Sequence, residues 1–121
     1  MDVPDAGFRH VGRCEQLAAL YCMYCRDTTD AATEHIAGLK KLKTYQAWST
    51  QITNRSLEIL GGMRSLEDVG FHGCAGITNA GMAHLANLPK LRAVDLEGLP
   101  NVTQESATVF PARVRLNYSH S

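Results

Sequence analysis

Apolar positions recur along this chain in a fixed phrase. It runs leucine, two variable residues, apolar, one variable, apolar, two variable, then a small or cysteine position. Leu17, Leu42, Leu66 and Leu91 open the copies, at intervals of 25, 24 and 25. The first reads Leu17-Ala18-Ala19-Leu20-Tyr21-Cys22-Met23-Tyr24-Cys25, the third Leu66-Glu67-Asp68-Val69-Gly70-Phe71-His72-Gly73-Cys74. Apolar residues at the fourth and sixth places have a period of two, which predicts a short strand with one buried face. Thr29, Thr53, Thr78 and Thr103 then precede stretches of helical spacing. Threonine accepts a hydrogen bond from an early helix amide, so these are expected N-caps. Thr33-Ile36-Leu39, Leu57-Leu60-Met63 and Met82-Leu85-Leu88 follow and predict an inward stripe.

The chain opens in mid-phrase. Val3-Pro4-Asp5-Ala6-Gly7-Phe8 matches Ile77-Thr78-Asn79-Ala80-Gly81-Met82, and Val11, Cys14 and Leu17 continue the stripe. At the other end Pro111 cuts the last helix, and Arg113-Val114-Arg115-Leu116-Asn117 reads as a closing strand. One domain over 1–121 is expected, with a truncated first repeat and a shortened C-terminal cap. The open first repeat calls for earlier repeats or a second copy of the chain to cover it.

The pattern L-x-x-L-x-L-x-x-(N/C), followed by I-T-N-x-G/S-(L/M), resembles the cysteine-containing subclass of leucine-rich repeats. The resemblance spans nearly the whole chain. It implies an α/β solenoid of about four units, a horseshoe with a short parallel sheet on the concave side and helices on the convex side. Bacterial repeat arrays and F-box-type substrate receptors use similar units. Positions 77–102 also resemble the tail of the mitochondrial coupling factor B of ATP synthase. These likenesses imply a protein-interaction module. A subunit or assembly factor of a larger complex, or a substrate receptor for ubiquitin ligation, are the alternatives they raise.

Charge and cysteine count sharpen this picture. Twelve basic and twelve acidic residues give a formal net charge of zero, so no nucleic-acid partner is expected. The apolar runs are too short to span a bilayer, so no membrane partner is expected either. Cys22-Met23-Tyr24-Cys25 has the spacing of a redox pair or half a zinc site. The repeat register reassigns it: Cys22 takes the inward strand place of Ala47, Phe71 and Leu96, and Cys25 the turn place of Thr50, Cys74 and Leu99. Cys14 takes the helix place of Leu39, Met63 and Leu88. All four cysteines are therefore expected in the core as small apolar residues. Buried thiols and a polar opening, Met1-Asp2-Val3-Pro4-Asp5, favour a cytoplasmic location. His10, His35 and His84 share one helix position, too widely spaced between units to hold one ion. No metal, no cofactor and no enzymatic activity are expected.

Function is then expected on the outward strand places. The seventh-place column reads Met23, Trp48, His72, Glu97 and Asn117. The fifth reads Tyr21, Gln46, Gly70, Asp95 and Arg115, and the third Ala19, Thr44, Asp68, Ala93 and Arg113. Tyr24 lies at the rim. Aromatic groups at one end, acids in the middle and arginines at the far end make a graded contact face. Tyr21, Met23, Tyr24, Gln46, Trp48, Asp68, His72, Asp95, Glu97 and Arg115 are its candidate residues. Ser49, His72 and Asp95 also fall on a diagonal across three strands, a serine–histidine–carboxylate set that lacks a nucleophile elbow.

Overall fold

The computed structural model describes residues 8–23 and 26–117, and of Phe8, Arg9 and Met23 the backbone alone. Positions 1–7, Tyr24, Cys25 and Tyr118 lie outside the described residues. Helix and strand alternate along the chain: α1 (Phe8–Val11), β1 (Ala19–Met23), α2 (Asp30–Ile36), β2 (Thr44–Trp48), α3 (Asn54–Leu60), β3 (Asp68–Gly70), α4 (Asn79–Met82), β4 (Ala93–Asp95), a 3-10 helix (Gln104–Val109) and β5 (Arg115–Asn117). The strands form one five-stranded parallel sheet in the order β1-β2-β3-β4-β5. The helices pack in the same order, each against the next. This is a mixed α/β fold with the core between sheet and helix row. No helix among the described residues is long and apolar enough to cross a membrane.

Register follows the repeated phrase. Ala19 pairs with Thr44, Thr44 with Asp68 and Asp68 with Ala93, at the intervals of the leucines. The opening leucines Leu42, Leu66 and Leu91 are buried, as are Tyr45, Val69 and Val94 at the fourth place. Cys22, Ala47, Phe71 and Leu96 are buried at the sixth. Burying such side chains stabilises by about 1.5–3 kcal/mol each for the larger ones, before chain entropy is set against it.

The helices are shorter than their apolar stripe, and the spacing of the stripe explains why. Its members recur every three residues, the period of a 3-10 turn rather than of an α-helix. Amides accordingly bond three residues back, Leu39 to Ile36, Met63 to Leu60, and Leu85 to Met82. The next turn repeats the step, with Leu66 bonding to Met63, Leu88 to Leu85 and Leu91 to Leu88. In the last unit the whole helix is 3-10, and Phe110, held extended before Pro111, ends it.

Cys14 departs from expectation. It is exposed, where Leu39, Met63 and Leu88 at the same repeat position are buried. It follows α1, which has a packed neighbour among the described helices only on its α2 side.

Polar contacts tie one unit to the next. Asp30, the first residue of α2, accepts hydrogen bonds from Thr53 N at 2.8 Å and Thr53 Oγ1 at 2.6 Å. Asn54 at the start of α3 accepts from Thr78 N at 3.0 Å and donates Nδ2–H to Thr78 Oγ1 at 2.8 Å. Asn79 at the start of α4 repeats this with Thr103, both bonds at 2.8 Å. Thr29, Thr53 and Thr103 also cap their own helices, accepting from Ala31 N, Arg55 N and Glu105 N. Thr78 does not, and its hydroxyl instead receives the Asn54 amide. Gly81 leaves room for this, since an added Cβ would overlap Asn54 Oδ1.

A buried hydroxyl chain ends on the same carboxylate. Ser56 Oγ lies 2.6 Å from Asp30 Oδ1 and 2.7 Å from Thr33 Oγ1, which is 3.1 Å from Tyr45 Oη. A hydroxyl has one proton and a carboxylate only accepts, so the direction is set. Ser56 donates to Asp30, Thr33 to Ser56, and Tyr45 to Thr33. Tyr45 is fully buried, and burial pushes its phenol far above its ordinary range, which keeps it a donor. Burial also pushes the Asp30 carboxyl up, but the bonds from Ser56 and Thr53 outweigh it and leave the pKa below its ordinary value.

Asp30→Ala strands Thr53 N–H and the hydroxyl chain together and is expected to cost roughly 2 kcal/mol in urea unfolding. Asp30→Asn, which can bond Thr53 as Asn54 bonds Thr78, is expected to cost less than half of that. Because folding lowers this pKa, its contribution is complete above the unfolded value of about 3.9 and is lost as pH falls through the folded one. The gap between wild type and Asp30→Asn should therefore narrow in acid. A gap constant from neutral pH to below pH 3 would refute the assignment.

Candidate functional site

The outward side chains of the five strands make one open sheet face. Its third-place column reads Ala19, Thr44, Asp68, Ala93 and Arg115, and its fifth Tyr21, Gln46, Gly70, Asp95 and Asn117. This corrects the expected placement of both arginines. Arg115 pairs with Ala93 rather than Asp95, and Asn117 takes the place beside Asp95. The last interval, 22 residues from Ala93 to Arg115, is shorter than the others but two residues longer than expected, and the inward place beside Val94 is filled by Leu116. Arg113 falls before the strand, where Nη2 donates to the carbonyls of Leu88 at 3.0 Å and Pro89 at 3.2 Å.

A groove of about 520 Å³ lies on this face. Of the candidate residues, Tyr21, Gln46, Asp68, Asp95 and Arg115 line it, with Thr44, Ala93 and Asn117 between them. Tyr21 is 61% exposed, and Val109 is the other large apolar residue exposed among the described ones. Asp95 has one oxygen committed, Oδ1 accepting from Glu97 N at 3.0 Å. The groove thus offers a phenol ring at the β1 end, carboxylates in the middle and a guanidinium at the β5 end.

Trp48, His72 and Glu97 form a second cluster at the strand ends. The Trp48 and His72 rings lie 5.1 Å apart between centroids and 41° from parallel, a tilted aromatic contact. His72 Nδ1 is 3.8 Å from Glu97 Oε2, too far for a hydrogen bond, while Glu97 Oε1 accepts from Asn117 Nδ2 at 3.2 Å. Trp48 is half-buried and donates Nε1–H to Gln46 Oε1 at 2.8 Å. Gln46 can reach the indole because it lies across Gly70, where an added Cβ would overlap its side-chain amide. Sequence reading placed Gln46 on the face without this lock. The available signal was the glycine at an outward strand place, which marks close approach of another group. The Met23 side chain and all of Tyr24 lie outside the described residues.

The Ser49–His72–Asp95 diagonal is not assembled. Asp95 Oδ1 accepts from the Glu97 backbone amide, His72 Nδ1 faces Glu97, and no hydrogen bond joins Ser49 Oγ to His72. Ser49 Oγ lies instead against Gly73, within 3.0 Å of where a Cβ there would sit. The Cys74 sulfur offers little nucleophilicity. Burial pushes the Cys74 thiol up, against opposing hydrogen bonds from Thr50 and Ser49, and its Sγ donates to Ala47 O at 2.8 Å. Cys22 is buried, with Sγ 3.7 Å from Thr28 Oγ1. His10, His35 and His84 are exposed on the helix side. Among the described residues no group of three or more His, Cys, Asp or Glu side chains is placed to hold a metal.

Gly70→Ala is expected to displace Gln46 and free the indole N–H. Trp48 is the only tryptophan, so its emission reports this position directly, and a red shift is expected with a stability loss of about 1 kcal/mol. An unchanged spectrum would show that Gln46 does not hold the ring. No protein-family model matches the chain, and a role for this face therefore rests on its own chemistry.

Proposed function

We propose that the chain is a short leucine-rich-repeat solenoid of about four units, a non-enzymatic module that binds a protein partner on its open, concave sheet face. The supporting pattern is the 24- and 25-residue spacing shared by the leucine phrase and the strand pairing. The observation that carries the functional reading is that one sheet face holds both the exposed Tyr21, in the groove, and the half-buried Trp48, in the cluster beside it. Tyrosine and tryptophan bury large rigid area at low entropic cost, and they dominate contact energies where water is excluded around them. Asp68, Asp95 and Arg115 add charges of opposite sign along the groove, which favour one orientation of a partner over the reverse. The groups on offer are rings, amides and carboxylates, suited to holding a surface rather than to activating a nucleophile. A subunit of a larger complex and a substrate receptor are two settings that would use such a face.

The test is quantitative affinity capture with wild type, Tyr21→Ala/Trp48→Ala, and a helix-side control, Glu34→Ala/Glu58→Ala. Recovery of the bound partner is expected to fall at least about tenfold with the aromatic pair removed, a loss of 1.4 kcal/mol or more. The control should match wild type. Equal recovery by all three would reject the face.

A further inference from the structure

The formal charge of zero hides a segregated surface. The chain passes from helix to strand in five segments, 12–18, 37–43, 61–67, 83–92 and 110–114, all on one edge of the parallel stack. Eight of the twelve Lys and Arg residues fall in them, against two of the twelve acids, Glu15 and Glu67. All eight cations are exposed. With strands about 4.8 Å apart, five rows put this charge along an edge roughly 19 Å long.

Three of the eight have work within the fold. Lys41 donates to Gln16 Oε1 at 2.7 Å, Arg92 pairs with Glu67 at 3.5 Å, and Arg113 bonds two carbonyls. Arg13, Lys40, Lys43, Arg64 and Lys90 make no side-chain hydrogen bond or ion pair among the described residues. Between Lys40 and Arg64 lies a pocket of about 370 Å³ whose apolar lining is Ala37, Leu39 and Met63. Gly38 and Gly62 border it, and the fold requires glycine at neither. Neither has a positive φ. A Cβ at Gly38 would meet nothing within 4 Å, and one at Gly62 only Ile59 O at 3.5 Å, an ordinary contact. Their effect is to leave the pocket mouth open.

We infer that this helix-to-strand edge is a second docking surface, for an acidic segment of a protein partner carrying one apolar anchor residue. The anchor enters the pocket between Lys40 and Arg64, and flanking carboxylates meet those two cations and their neighbours. The edge suits a nucleic acid less well. Its row is broken by Glu15 and Glu67, and it has no exposed aromatic ring on which a base would stack. It suits a bilayer less well because the large apolar residues exposed among the described ones, Tyr21 and Val109, lie in β1 and the 3-10 helix. An apolar pocket flanked by cations matches an acidic peptide with an anchor and neither alternative.

The experiment is an anisotropy titration of a fluorescein-labelled peptide of glutamates around one central leucine. Wild type is expected to bind it, and Lys40→Glu/Arg64→Glu to bind it at least about tenfold more weakly. Both side chains are exposed and unpartnered, so an unchanged thermal melt should accompany the loss. An all-glutamate peptide of the same length should bind several-fold more weakly than the leucine peptide. Trp48→Ala should leave the affinity unchanged, which separates this edge from the open sheet face. Four results would overturn the inference: no binding by wild type, equal affinity for the charge-reversed variant, equal affinity for the all-glutamate peptide, or tighter binding of a mixed-sequence DNA duplex or phosphatidylserine vesicles.

Discussion

The contact on which the other features depend is the side-chain bond from the first residue of one helix to the threonine that opens the next. A helix leaves its first amides without partners, and a row of parallel helices concentrates those donors at one edge. Here Asp30, Asn54 and Asn79 each reach one unit forward and take the backbone N–H of Thr53, Thr78 and Thr103. That contact fixes the distance between units at the helix starts. The sheet fixes it at the strands. With both held, the leucines of successive units are brought onto one another and the core closes without a large side chain at every inward place, as Ala47 shows.

The step from the first unit to the second is where this scheme reaches deepest. Thr33 stands where the other units have Leu57 and Met82, a polar residue in the apolar stripe. Alone it would cost free energy on burial. It is matched by Tyr45, an equally unusual residue at the inward fourth place, whose hydroxyl crosses the core to meet it. The two exceptions explain each other, and Ser56 delivers their shared chain to Asp30. Asp30 is also the one aspartate among the three described residues of this ladder, beside Asn54 and Asn79. A carboxylate can accept from Thr53 and from Ser56 at once, which an amide oxygen does less strongly. Once satisfied, such a network favours a single register over slipped ones.

Period and burial were legible in the sequence because they follow from composition at fixed intervals. Leu42, Leu66 and Leu91, the inward Cys22, and three of the four threonine caps all lie where the phrase puts them. The misreadings arose where the interval changes or the neighbouring unit is not the standard one. Arg113 and Arg115 were placed by a last interval of 20 residues where the chain uses 22, so both moved by two places. Cys14 has the position of a core residue without a packed unit on its outer side among the described ones. The asparagine ladder was invisible for a different reason. The I-T-N string appears in the sequence, but its bonds join residues 24 apart, and only the stacking distance tells an amide which threonine to meet.

The same stacking sorts charge. Every helix runs in one direction, so amide ends gather at one edge and carbonyl ends at the other. Acids are favoured at the first and cations at the second. Asp30 and Glu105 sit in first turns, and Arg113 bonds the carbonyls after α4. That tendency accounts for the sign of the basic edge but not for its excess. The helices are four to seven residues long, so their end charges are small and fall off within a turn. Arg113 shows the geometry of a cation that serves them, folded back onto backbone oxygen. Lys40 and Arg64 lack such a bond and instead flank an apolar pocket. A charge that the fold does not use, beside an opening that the fold does not need, is what separates a surface for a partner from one that only completes a helix.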